Sequence, residues 1–140
     1  MPFNGSLKVV VSGKVIAKTD KGFRSLETSH PPSYYIPPDD IDMADLQYNQ
    51  RVTLCEWKGK ASYFNFELGD RSIADIAWTY TNPTSTFSKI KNYLSFYASK
   101  VDACYVNGEE VLAQDGDFYG GWITKHLTGP FKGGQGTAGW

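Results

Sequence analysis

The sequence predicts a mainly β protein with one or two short helices, on three observations. Short runs of alternating apolar and polar residues recur along most of its 140 residues. Glycine-bearing turn pairs, Ser12-Gly13, Lys58-Gly59 and Asn107-Gly108, punctuate those runs. Aromatic residues make up 15% of the chain, and pleated sheets favour them. No alternation of strand and helix and no internal repeat points to a nucleotide-binding α/β fold.

Taken in order, Leu7 to Thr19 reads as two strands around Ser12-Gly13, and Phe23 to Thr28 as a third. Leu26 to Pro38, LETSHPPSYYIPP, carries two Pro-Pro pairs, so Ser33 to Ile36 is expected to be extended. Pro38 to Leu46 holds four aspartates behind a proline, the composition of a short helix start rather than of a metal cluster. Arg51 to Leu68 reads as a hairpin turning at Lys58-Gly59, with Ala61, Tyr63 and Asn65 on one face and Ser62, Phe64 and Phe66 on the other. Arg71 to Tyr80 is a strand that places Ile73, Asp75, Ala77 and Thr79 opposite Ile76, Trp78 and Tyr80. A short helix is expected from about Ser85, a strand over Leu94 to Tyr97, and a second hairpin around Asn107-Gly108. About eight short strands result.

At this length one domain is expected, over residues 1–115. Residues 116–140 contain eight glycines and read as an aromatic arm that packs through Phe118, Tyr119 and Trp122. The net charge of -1 and the lack of a basic stripe exclude duplex nucleic acid as a partner. No membrane-spanning run is present, and two cysteines do not make a disulfide framework, so a soluble cytoplasmic protein is expected.

Four constellations bear on chemistry. Glu27 and His30 share the proline-rich stretch with Tyr34 and Tyr35, where a carboxylate can orient an imidazole. Cys55 lies three residues before Lys58, but strand geometry points them to opposite faces, which disfavours an activated thiolate. Tyr34, Tyr35, Tyr63, Trp78, Tyr80 and Tyr97 are numerous enough to wall a pocket, with Lys58 and His30 as polar contacts. Lys132 to Thr137, KGGQGT, lacks the order of a phosphate loop. No paired cysteine or histidine spacing supports zinc or another metal, and no cofactor is expected.

The blocks LETSHPPSYYIPPDDI, T-x-C-x-x-K-G-x-A-x-Y (Thr53, Cys55, Lys58, Gly59, Ala61, Tyr63), AWTYTNP and YLSFYASKVDACY, in this order, resemble the family catalogued as domain of unknown function 427. The likeness spans Leu7 to Ala113, and the glycine-rich tail is similar to an extension found in one branch. It implies a β-tent, two antiparallel sheets leaning together, as in zinc-bearing relatives whose paired cysteines this chain lacks. The family's nucleotidyltransferase-like label finds no matching carboxylate spacing here, since Gly5-Ser6 is remote from Asp40 and Asp42.

The expectation is therefore a binding protein rather than an enzyme. Its ligand is a small polar or planar molecule, held by Glu27, His30, Tyr34, Tyr35, Cys55, Lys58, Tyr63, Trp78, Tyr80 and Tyr97. One alternative is an enzyme using Cys55 or His30. Another is an interaction or homo-oligomerisation module acting through the C-terminal arm.

Overall fold

A computed structural model describes residues 2–25, 33–55, 58–113 and 121–124. Among these residues the chain is mainly β, with every strand pair antiparallel. The first sheet has the order β10-β9-β1-β2: β1 is Leu7–Val11, β2 Lys14–Thr19, β9 Ala103–Val106 and β10 Glu109–Glu110. The second has the order β5-β6-β7-β8: Leu46–Cys55, Gly59–Leu68, Arg71–Tyr80 and Leu94–Phe96. Two small ribbons complete it, β3 (Phe23–Ser25) with β4 (Ser33–Tyr35), and β11 (Leu112–Ala113) with β12 (Trp122–Ile123). No helix among the described residues is long and apolar enough to cross a membrane.

The hairpins form where the turn chemistry places them. Ser12 and Gly13 have φ of 54° and 73°, and Asn107 and Gly108 have 51° and 83°. Two consecutive positive φ values match the right-handed twist of the flanking strands, which is why Asn-Gly suits this position. Strict alternation along β1, Leu7, Val9 and Val11 inward, follows from its one-sided burial. These residues share one core with Phe64, Phe66, Ile76, Ala77, Leu94 and Phe96 of the second sheet.

Twelve strands are described instead of about eight. Three of them, β10, β11 and β12, are two residues long, too short for any periodicity to register. The two expected helices are both 3-10 turns, Pro38–Asp40 and Ser85–Ile90. The first has proline at its start and Asp39 and Asp40 in its first turn, as its composition implies, but extended backbone at Ile41 ends it at once. The second is broken at Phe87, whose φ of -111° is not helical. The aspartates of this region hold neighbours: Asp40 accepts a bond from Thr19 Oγ1 at 2.6 Å, and Asp42 and Asp45 pair with Lys14.

The second sheet contains the departure that matters most. Tyr48 pairs with Phe64 and Val52 with Ser62, so four steps along β5 answer two along β6. On the other side Phe64 pairs with Ala77 and Phe66 with Ile73, so four steps along β7 again answer two. The strand β6 therefore runs between two large bulges, each adding two residues to the neighbouring strand. The second bulge reverses the facing expected for Ile76, which joins Ala77 in the main core instead of Trp78 and Tyr80.

An ion pair ties the two sheets at one end. Arg71 gives Nη2 to Asp102 Oδ1 at 2.6 Å and Nη1 to Oδ2 at 2.8 Å, and the Ser12 amide donates to the same carboxylate at 2.6 Å. These donors hold the Asp102 carboxyl at about 2, below its ordinary value. A lowered folded pKa contributes stability that is complete above the unfolded value and lost as pH falls through the folded one. We expect wild type to lose stability between roughly pH 4 and pH 2 more steeply than Asp102→Asn, which starts lower at neutral pH. Because both side chains are about 40% exposed, added salt should narrow the gap. Parallel urea midpoints for the two proteins across that range would show that Asp102 is not the group responsible.

Candidate functional site

One face of the second sheet carries a second buried cluster, made of Tyr35, Ala61, Tyr63, Trp78, Tyr80, Ile90 and Tyr97, with Phe23, Phe87 and Tyr93 packed against it. Its logic is cross-strand: Tyr63 pairs with Trp78 and Ala61 with Tyr80. Trp78 also meets Tyr97 with centroids 4.6 Å apart, and Tyr35 edge-on at 6.3 Å. Five of the six aromatic residues expected at a site are thus brought together. Tyr34 is not among them: strand alternation turns it into the main core, against Phe3 and Trp122 at 5.1 and 5.2 Å.

Lys58 joins the aromatic group as expected, and its placement has a local cause. Gly59, at φ +111°, lies so close to Asn82 and Pro83 that a Cβ there would meet the Asn82 carbonyl at 3.2 Å. Glycine lets β6 begin against that loop, where the Thr84 amide donates to the Lys58 carbonyl at 2.9 Å. The Lys58 side chain is buried, with Nζ 3.3 Å from the Tyr35 hydroxyl and 5.6 and 5.8 Å from the rings of Tyr35 and Phe87.

Polar groups that strand periodicity does not single out also belong to this face. Ser95 is paired with Trp78 in register, flanked by Leu94 and Phe96, which point into the main core. It is fully buried, and among the described residues its hydroxyl has no hydrogen-bond partner. At the bulges, Asp75 takes a φ of 54° and gathers donors. Arg51 Nη1 reaches Asp75 Oδ2 at 2.7 Å, and Asn49 Nδ2 reaches Oδ1 at 2.7 Å. Asn65 Oδ1 accepts from Asn49 Nδ2 and from the Asp75 amide. Burial pushes the Asp75 carboxyl up, but the Arg51 and Asn49 donors outweigh it and hold it below its ordinary range.

The bulge network reaches the aromatic cluster through Arg51, whose guanidinium lies 4.6 Å above the Tyr63 ring. Tyr63 in turn shares a 2.8 Å hydrogen bond with Thr53 Oγ1. Burial, then the adjoining Tyr63 hydroxyl, raise the Tyr97 pKa, so the Tyr97 phenol is a neutral hydrogen-bonding group at physiological pH. The signal for this network was the lone Asp75 in an apolar strand. Its donors Asn49 and Arg51 lie in a segment whose bulge erases the alternation.

Glu27 and His30 lie outside the described residues, as do Phe118, Tyr119 and the KGGQGT segment. The backbone of Cys55 closes β5, and its side chain also lies outside them. The other cysteine, Cys104, is a buried thiol whose pKa burial and then Glu110 raise to about 12, so it is no nucleophile at neutral pH. A separate open groove of about 320 Å³ is lined by Ser6, Lys18, Thr19, Asp20, Lys21 and Asp40, none of them in the aromatic cluster. The profile of a family described as a domain of unknown function (DUF427) matches residues 1–107. No curated protein matches the chain.

Proposed function

The chain belongs to the domain of unknown function 427 family, and on that premise we propose that it is a cytoplasmic protein binding a small planar ligand at the Tyr63–Trp78–Tyr97 face. We read its two four-stranded sheets as a β-tent and this face as the ligand's seat. The observation that carries the reading is the Ser95 hydroxyl, fully buried beside Trp78 and without a hydrogen-bond partner among the described residues. An unsatisfied buried hydroxyl costs about 1–3 kcal/mol, which a purely structural position would shed by becoming alanine. A ligand acceptor reaching Oγ would make serine the better residue there. The hydroxyls of Tyr63 and Tyr97 add polar groups to the same face.

The reading predicts opposite signs for stability and binding in one variant. Ser95→Ala should raise the denaturation midpoint, consistent with removing an unsatisfied group, and should lose the ligand carried by wild type in native mass spectra. Tyr63→Phe should keep the fold and weaken the same complex. A wild-type spectrum free of bound species, with no thermal shift across a panel of planar small molecules, would sink the proposal.

A further inference from the structure

Building on that ligand-binding reading, we infer that the ligand is an anion, an aromatic or heteroaromatic carboxylate whose acid group is taken by Arg51 at the rim of the aromatic cluster. Aromatic faces by themselves attract cations. Here the rings already hold cations of the chain itself: Arg51 over Tyr63 at 4.6 Å, Lys100 over Tyr97 at 5.4 Å, and Lys58 over Tyr35 and Phe87. A positively charged ligand at the rim would meet Arg51 and Lys100 as like charges, whereas a carboxylate would meet them as opposite ones.

Among the described residues, the carboxylate at this face is Asp75, and it is already engaged by Arg51 Nη1, Asn49 Nδ2 and the field of Lys100. It orients the guanidinium without using it up. Arg51 spends only Nη1 on Asp75, its side chain is 41% exposed, and among the described residues no hydrogen bond engages its Nε–Nη2 edge. A guanidinium edge matches a carboxylate with two parallel hydrogen bonds, a geometry that a neutral amide of the same shape cannot reproduce. The guanidinium covers the buried Tyr63 ring at 4.6 Å, so an acid group held at its edge lies at the rim of the aromatic cluster.

Matched pairs test this on the full chain: benzoate with benzamide, nicotinate with nicotinamide, indole-3-carboxylate with its carboxamide, and benzylamine as the cationic probe. Calorimetric titration should give a preference for acid over amide of about tenfold in the best pair, the size of one charge-assisted contact. Arg51→Gln should reduce that preference to about twofold, with its circular dichroism spectrum and urea midpoint certifying separately that the variant is folded. Arg51→Lys should recover part of it, having the charge without the planar edge. Amide or benzylamine bound as tightly as the acid would overturn the anion assignment while leaving the binding site standing. An undiminished acid preference in Arg51→Gln would overturn the role of Arg51. If neither acids nor amides bind wild type, the ligand-binding reading falls as well.

Discussion

Trp122→Ala is expected to destabilise the protein by about 3–5 kcal/mol, the range for deleting a large, well-packed aromatic side chain. Trp122 is fully buried, its ring lies 5.2 Å from that of Tyr34, and Nε1 donates to the Phe96 carbonyl at 2.9 Å. It belongs to the main core although the family profile ends at residue 107. The β11–β12 ribbon, with Ala113 opposite Trp122, holds it there. Alanine would leave a cavity against Tyr34 and strip a hydrogen bond from the edge of β8. Trp122→Phe should cost less, keeping a ring but losing that bond. Truncation after Ala113 removes β12 and should lower the thermal midpoint at least as far as Trp122→Ala. Urea denaturation of the three proteins decides the matter. If Trp122→Ala unfolds within 1 kcal/mol of wild type, the indole contributes no more than a surface side chain.

Trp122 also illustrates how much was legible before any coordinates. Its packing role could be expected because an indole is too costly to leave wholly in water, even within a glycine-rich segment. Its partners Tyr34 and Phe96 could not, because nothing local links residue 122 to them. The hairpins at Ser12-Gly13 and Asn107-Gly108 were legible for the opposite reason: their positive φ values are set by the turn residues themselves. The clustering of Tyr35, Tyr63, Trp78, Tyr80 and Tyr97 followed from composition and alternation, while the separation of Tyr34 from Tyr35 follows from alternation applied one step further.

What escaped the sequence lies at the bulges. Alternation assumes one residue per step on each strand, and the segments Asn49–Arg51 and Ala74–Ile76 break that assumption. β5 consequently begins at Leu46, although its regular pattern becomes readable only after Arg51. Ser95 escaped differently. A serine between two inward hydrophobic residues reads as solvent-facing, and it is buried because the other face of β8 is covered by aromatic side chains rather than by water. The residues on which the proposed function rests, Arg51 and Ser95, with Asp75 beside them, are thus the ones where a local rule fails.

Asp75 tests that connection most sharply, because it combines backbone strain with an electrostatic role. At φ 54° a residue with a Cβ is strained by about 1–2 kcal/mol, and Asp and Asn tolerate the position better than Ala. Its carboxylate satisfies Arg51 and Asn49 in a part-buried setting, its own side chain being 19% exposed. Asp75→Ala should therefore lose about 2–3 kcal/mol, from strain and from donors left without their acceptor. Asp75→Gly relieves the strain but not the lost acceptor, so it should fall between Ala and wild type. Asp75→Asn keeps the backbone preference and one acceptor oxygen, and should cost least. The order Asn, Gly, Ala is the signature of both effects acting together. Equal losses for Gly and Ala would remove backbone strain from the account, and a loss for Asn as large as that for Ala would assign the whole effect to charge. The carboxyl's lowered pKa adds a pH sign: its contribution is complete above its unfolded value and is lost as pH falls through the lower folded one. The gap between wild type and Asp75→Asn should therefore close in acid. A gap that persists there would mean that the cost of Asp75→Asn does not come from the carboxylate charge.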